Sequence, residues 1–296
     1  MKETKTIACF GEILWDILPT GKVLGGAPLN ACYHISKLGI NSAMISRIGR
    51  DDLGREIKEE LAAREINDRY TQEDADHVSG QVLAFPDAAG VMTYQFVDDV
   101  AWDHILADKD NRTLVEQADY FVYGSLVARG EVSRKTLFEL LKLANTKVLD
   151  INLRKPYYTG EMIELLLQEA NLLKVNDDEL QLLAKWFLES RTEKEWLQEL
   201  SAKFNLDEIL VTKGANGATA WIDNRYWTHP GYPARVQDTI GSGDSFLAAY
   251  LAARIRQADP AEALDQANRL ASYITTLAGG CPTYDAADAG LEISSE

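Results

Sequence analysis

Thiols are scarce: Cys9, Cys32 and Cys281 are the only cysteines in the chain. They are far apart, odd in number and form no Cys-x-x-Cys pair. That excludes a disulfide framework or a thiolate zinc site and fits a reducing cytoplasm. The four histidines show no metal-ligand spacing, and His34 reads as a packed or surface side chain on an early helix. No stretch approaches the ~20 apolar residues of a membrane-spanning helix. The first residues turn polar too soon for a signal peptide. Several nucleotide signatures are missing as well. There is no Gly-x-x-x-x-Gly-Lys-[Ser/Thr], no His-Arg-Asp and no Asp-Phe-Gly arrangement, which sets aside P-loop and protein-kinase-like enzymes. No Gly-x-Gly-x-x-Gly follows the first strand, which sets aside a dinucleotide dehydrogenase. Positive charge is short too, with 30 Lys and Arg against 46 Asp and Glu, a formal net charge of -16. Nucleic acid and anionic membranes are repelled by such a field. An anionic nucleotide needs local donors or a metal to bind.

What is present suits one large α/β domain with a small appendage: 296 residues, 46% of them hydrophobic. Thr6 to Phe10 and Ser42 to Ile48 read as buried strands, with helices over Ala27 to Leu38 and Leu53 to Arg64. Residues 12–27 read as irregular and glycine-rich. Gln81 to Phe85 and Met92 to Val97 read as two strands joined by a turn at Asp87 to Gly90, a hairpin outside the main sheet. Residues 12–27 and 79–104 together are expected to form a lid. From Tyr120 onward strands alternate with helices, which predicts a mainly parallel sheet covered by helices on both faces. Ligands of such sheets sit beyond the carboxyl ends of the strands. A late hairpin around Asp223-Asn224 and two helices, Asp244 to Arg256 and Pro260 to Leu277, close the chain.

The segment Asp238-Thr239-Ile240-Gly241-Ser242-Gly243-Asp244 carries the sharpest chemistry. Gly241 and Gly243 let backbone N–H groups converge, and the helix that follows adds unpaired donors and partial positive charge. Together they make an anion hole for a migrating phosphoryl group. Asp244 at its mouth can accept the proton of an attacking hydroxyl, with a basicity the helix dipole is expected to lower. The competing reading is a helix N-cap.

The heptapeptide closely resembles the Asp-Thr-x-Gly-x-Gly-Asp signature of the ribokinase/PfkB family of sugar kinases. Other segments between residues 6 and 284 resemble that family too, most of all its bacterial fructokinase branch. Gly25-Gly26-Ala27-Pro28-Leu29-Asn30 resembles the N-terminal motif, which implies that Gly25 and Gly26 approach the sugar and that Asn30 bonds its hydroxyls. Gly11-Glu12-Ile13-Leu14-Trp15-Asp16 resembles the opening motif, whose Asp16 binds sugar hydroxyls. Asp150-Ile151-Asn152-Leu153-Arg154 resembles the run lining the cleft between sugar and phosphates. Ala101-Trp102-Asp103 follows the hairpin, and Trp102 either stacks on a sugar face or is an apolar anchor. Asn176 to Glu179 resembles the Asn-x-x-Glu motif, which implies nucleotide contact by Asn176 and a water-mediated magnesium contact by Glu179; it is also a capping box. Thr212, Gly214 and Gly217 fall in a segment similar to the nucleotide loop. Asn268 falls where relatives meet adenine or ribose, beside the alternative of a buried, backbone-satisfied amide. Gly279 to Thr283 resembles the closing loop, which with Asp238 and Ile240 implies a monovalent cation site (Gly279 and Thr283 contributing), beside a plain helix C-cap. Leu29 and Lys213 depart from the family pattern without removing a catalytic group.

The resemblance implies a ribokinase-like fold and transfer of the γ-phosphate of ATP, with Mg²⁺ and possible use of K⁺, to a primary hydroxyl of a keto-hexose, fructose first. Ribose, 2-keto-3-deoxygluconate or a nucleoside are the alternatives, as is a non-catalytic sensor. The partners implied are the sugar and ATP; the open edges of the expected lid sheet predict a second copy of the chain paired through the lid.

Overall fold

In a computed structural model of the chain, residues 5–19, 21–86 and 92–291 are described. The parallel layer is built from β1 (Thr6–Phe10), β4 (Asn41–Gly49), β5 (Thr71–Asp74), β8 (Tyr120–Gly124), β9 (Lys147–Asp150), β10 (Leu172–Asn176) and β11 (Glu208–Thr212). The antiparallel β12 (Ala218–Ile222) and β13 (Arg225–His229) extend one end, giving the order β13-β12-β11-β10-β9-β8-β1-β4-β5. The expected mainly parallel sheet is therefore observed.

Side chains alternate across each strand, so the sheet serves two cores. Ile7 and Cys9 of β1 pack with residues of α1 (Ala27–Lys37), α2 (Asp52–Ala63), α8 (Ser242–Ile255) and α9 (Pro260–Ile274). Ala8 and Phe10 pack with residues of α3 (Lys109–Gln117), α4 (Glu131–Leu141), α5 (Gly160–Glu169), α6 (Asp177–Phe187) and α7 (Glu193–Phe204). Among the described residues no helix is long and apolar enough to cross a membrane.

A second, four-stranded sheet has the order β3-β2-β6-β7, with β2 (Leu14–Leu18), β3 (Gly21–Gly25), β6 (Gly80–Pro86) and β7 (Met92–Phe96). The hairpin β6–β7 stands outside the main sheet, as its lack of a crossover helix implied; its turn at Asp87 to Gly90 lies outside the described residues. Residues 12–27 are not irregular: they hold β2 and β3, and β2 pairs in parallel with β6. Asp51 caps α2 through Gly54 N at 2.7 Å and also accepts from Ser79 N at 2.8 Å, which ties the entry of β6 to the body.

Candidate active site

A cleft of about 1140 Å³ opens at the carboxyl ends of the parallel strands and draws its lining from both sheets. Leu14, Asp16 and Leu18, two apart along β2, face it from the small sheet, together with Val82 and Phe96. The N-terminus of α8 faces it from the body.

Helix α8 begins two residues earlier than its sequence suggests, and that changes the role of Asp244. Gly241 is the N-cap, in the left-handed region at φ 76°, and no side chain caps the helix. A β-carbon on Gly241 would sit 2.7 Å from Gly280 Cα, so glycine is required there for space as well as conformation. Asp244 is thus the third helical residue, and the N-cap reading does not hold. The N–H groups of Gly243 and Asp244 belong to the first turn, which has no intrahelical acceptors. Asp244 Oδ2 accepts a hydrogen bond from Asn30 Nδ2 at 2.8 Å. Asn30 Oδ1 in turn accepts from the Cys281 thiol at 3.2 Å, so a thiol–amide–carboxylate relay fixes the orientation of Asp244. The expectation that the dipole lowers its basicity is reversed. Burial and the nearby charge of Asp150 push the Asp244 carboxyl up to about 6, against the opposing pull of Lys174, Asn30 and Arg154.

Lys174 is the group that sequence reasoning missed. It interrupts the apolar strand β10 and is buried, yet it lines the cleft. Its Nζ donates to Asp150 Oδ1 and Oδ2 at 2.8 and 2.9 Å. A β-carbon placed on Gly243 would stand 3.2 Å from the same ammonium, so Lys174 lies directly under the first turn of α8. Burial pulls its pKa down, but Asp150 and Asp244 outweigh that and hold it above the ordinary lysine value. A permanent cation beneath orphan amides is a site for a doubly or triply charged phosphoryl group.

The opposite wall is acidic. Glu12 is 4% exposed, its Oε1 accepts from Ala27 N at 3.3 Å, and its Oε2 has no hydrogen-bond partner. Burial pushes its carboxyl up to about 7, and Asp16 is pushed up to about 6 by the same cause, partly offset by Arg154. Gly26, at φ 120°, lies so close to this strand end that a β-carbon would meet Glu12 O at 2.3 Å. The double glycine therefore lets the loop before α1 fold against Glu12, leaving Gly25, Gly26 and Asn30 on the cleft wall.

The profile of the pfkB family of carbohydrate kinases matches residues 10–287. The chain belongs to that family. Among relatives, a fructokinase of Klebsiella pneumoniae is 28% identical over 256 residues, covering 82% of each chain. The fold of a sugar kinase from Pyrococcus horikoshii, solved in complex with ATP, superposes with a TM-score of 0.81 at 25% identity, over 95% of this chain and 96% of that one. A Vibrio cholerae fructokinase, solved with fructose, ADP and a calcium ion, gives a TM-score of 0.79 at 22% identity over 95% and 96% of the two chains.

The remaining family motifs of this PfkB kinase fall into two groups. Asp150, Asn152, Arg154, Asn176, Glu179, Thr212, Gly214, Gly217 and Asn268 all line the cleft, as do Asp238, Ile240, Ser242 and Gly279. Several are also structural. Glu179 forms the capping box with Asn176, and its Oε1 accepts from Leu153 N at 2.8 Å, which anchors the loop that carries Arg154. Asn268 Nδ2 donates to Leu264 O at 2.7 Å. Asp238 accepts from Ile240 N at 3.0 Å and Gly279 N at 2.9 Å, joining the α8 turn to the closing loop.

Two residues stand apart. Trp102 is 1% exposed and does not line the cleft; the Arg129 guanidinium covers its ring at 4.0 Å. It is the apolar anchor of the segment after β7, and stacking on a sugar is excluded by that packing. Thr283 is exposed and does not line the cleft, unlike Asp238, Ile240 and Gly279.

Glu12 offers a test through stability. Its folded-state value lies above the ordinary 4.5, so ionising it costs the folded protein stability as pH rises through about 7. Glu12→Gln escapes that loss. Its advantage over wild type in urea unfolding should be absent below about pH 4 and grow to as much as about 3 kcal/mol by about pH 8. A pH-independent difference contradicts the burial of an ionisable Glu12.

Proposed function

We propose that this carbohydrate kinase transfers the γ-phosphate of ATP to a primary hydroxyl of a keto-hexose, with fructose as its first substrate. The observation that carries the reading is Asp244 on the first turn of α8, flanked by uncapped amides and Lys174 and facing Asp16 and Glu12 across one cleft. Asp244 takes the hydroxyl proton as the sugar oxygen bonds to the γ-phosphorus. The bond to the β–γ bridging oxygen breaks, and ADP leaves with that electron pair. The N–H groups of Gly243 and Asp244, with Lys174, hold the transferring group, and Arg154 adds charge at the mouth. Carboxylates suit vicinal hydroxyls because each oxygen accepts a hydroxyl proton, which assigns Asp16 to the sugar beside Gly25, Gly26 and Asn30. The fructokinase names of relatives favour fructose over ribose, 2-keto-3-deoxygluconate or a nucleoside.

Both Glu179 oxygens accept main-chain N–H groups, Leu153 and Asn176. That fits an outer-sphere hold on a hydrated Mg²⁺, which supplies charge neutralisation of the phosphates when bound. The two N–H···O bonds that the Asp238 carboxylate accepts join the turn at Ile240 to the loop at Gly279, the part of the chain we assign to K⁺. The four-stranded sheet, with residues 12–27 and 79–104, acts as the lid whose closure excludes water. Its outer strands β3 and β7 are the edges through which two copies would pair.

The test is ADP release with a sugar panel at matched concentrations. Fructose should give the highest kcat/KM, ahead of ribose, 2-keto-3-deoxygluconate and nucleosides. A preference for any of those three overturns the keto-hexose reading while leaving the kinase intact.

A further inference from the structure

The hairpin β6–β7 joins the body through two segments, one entering β6 and one leaving β7. Three side chains with metal-binding chemistry meet where those segments cross. His77 precedes β6, and Asp99 and His104 follow β7; one ligand atom from each lies within 4.8 Å of the others. The His77 and His104 rings are stacked with centroids 3.6 Å apart. Asp99 Oδ1 lies 2.8 Å from His104 Nε2 and 3.9 Å from His77 Nε2. The backbone holds the two segments in register, since Ala101 N donates to Val78 O at 2.8 Å.

The surroundings of His77 go beyond a surface ion pair. Its Nδ1 lies 3.1 Å from Oδ2 of Asp74, a carboxylate whose side chain is fully buried and which also accepts from the backbone N–H of Asp76 and His77. A carboxylate only accepts, so Nδ1 is the donor in this contact, and Nε2 is the ring nitrogen that faces Asp99. Carboxylate–histidine support of this kind is what orients the imidazoles of metal centres. His77 Nε2 makes no hydrogen bond there, because 3.9 Å is too long for one.

We propose that His77 Nε2, His104 Nε2 and Asp99 Oδ1 form a binding site for a first-row transition dication of the zinc class, at the root of the lid. Two imidazoles and a carboxylate suit Zn²⁺ in tetrahedral geometry, with water in the fourth position. Ligand atoms around such an ion stand about 3.3 Å apart, between the two separations observed. The ion replaces the proton between His104 Nε2 and Asp99 Oδ1, and the neutral His104 ring carries its proton on Nδ1 instead. The stacked rings splay by rotation about χ2 so that both in-plane lone pairs converge. Bound there, the ion clamps both ends of the β6–β7 hairpin to each other. None of the three residues lines the cleft that holds Asp244, so the site stands or falls independently of the kinase reading.

The test is zinc titration of the full chain, freed of nucleotide and magnesium, by calorimetry and by equilibrium dialysis. Wild type should take up one Zn²⁺ per chain at this site. Asp99→Asn and His104→Gln should each weaken it by about 10-fold or more, since even outer-shell substitutions cost roughly 10–100-fold. Asp99 is exposed and sits at φ 55°, a conformation asparagine tolerates, so that variant should keep the wild-type melting temperature without metal. His229→Gln, on β13, should bind as wild type does. Zinc uptake undiminished in both variants, or no saturable uptake by wild type in excess zinc, overturns the proposal.

Discussion

Asp244→Asn is expected to lower turnover by about 10²–10⁴-fold while sugar affinity and melting temperature stay near wild type. Asparagine has the same shape, and its side-chain oxygen can still accept from Asn30 Nδ2, which now holds Asp244 Oδ2 at 2.8 Å. What it lacks is a basic oxygen for the hydroxyl proton. Removing a carboxylate that burial and Asp150 disfavour in its ionised form costs the fold little. ADP release in a coupled assay, with sugar binding followed by calorimetry, separates the outcomes. Unchanged turnover ends the assignment of Asp244 as the base. A wild-type protein that binds sugar but forms no ADP would instead be a sensor built on a kinase fold.

Lys174→Met is expected to be the most damaging single change to both stability and rate. The substitution leaves Asp150 buried without its partner at 2.8 Å; removing one member of a buried pair costs about 3–5 kcal/mol. It also removes the cation that draws the Asp244 carboxyl down. In wild type Asp244 has to be ionised to accept a proton, so kcat/KM should rise with pH through a value near 6. Without Lys174 that limb moves to higher pH, and the deficit is larger on the acid side of neutrality than on the alkaline side. A purely structural Lys174 would cost stability and leave the limb in place. The double variant Lys174→Met with Asp150→Leu distinguishes the two further. Apolar replacement of the pair should restore much of the stability and return the limb toward lower pH, since Asp150 also holds the Asp244 carboxyl up, while the rate lost with the phosphoryl-binding cation stays lost.

That pair also shows where sequence reading stops. Asp150 and Lys174 are 24 residues apart and meet because β9 and β10 are neighbours in parallel, in a register that sets Lys174 directly beside Asp150. Neither strand announces its register. The alternation of apolar strands with helices from Tyr120 onward was legible, because buried parallel strands read as continuous apolar runs. Strand β5, Thr-Gln-Glu-Asp, was not: only Asp74 of it is buried, so it carries no period. Helix α3 buries just Asn111, Leu114 and Val115, too thin a stripe to stand out among charged neighbours. Strands β2 and β3 looked irregular because glycines bound the short β3 at both ends. At the site, the glycine-framed segment around Asp244 was legible through its resemblance to the family motif, while the start of α8 at Ser242 and the burial that raises the Asp244 carboxyl were not. Trp102 stayed open between sugar platform and apolar anchor, because nothing local reveals that Arg129 covers its ring. His77 and His104, 27 residues apart in sequence, show no local metal spacing because they meet only through the fold of the segments that flank the β6–β7 hairpin.

The central claim is that the first turn of α8 holds the migrating phosphoryl group while Asp244 deprotonates the acceptor. The most direct measurement is a crystal structure with fructose and a non-hydrolysable ATP analogue. It should place a primary sugar hydroxyl within about 3.2 Å of an Asp244 oxygen, with the terminal phosphate against the N–H groups of Gly243 and Asp244. A terminal phosphate bound elsewhere, or a sugar with no hydroxyl near Asp244, would contradict the account.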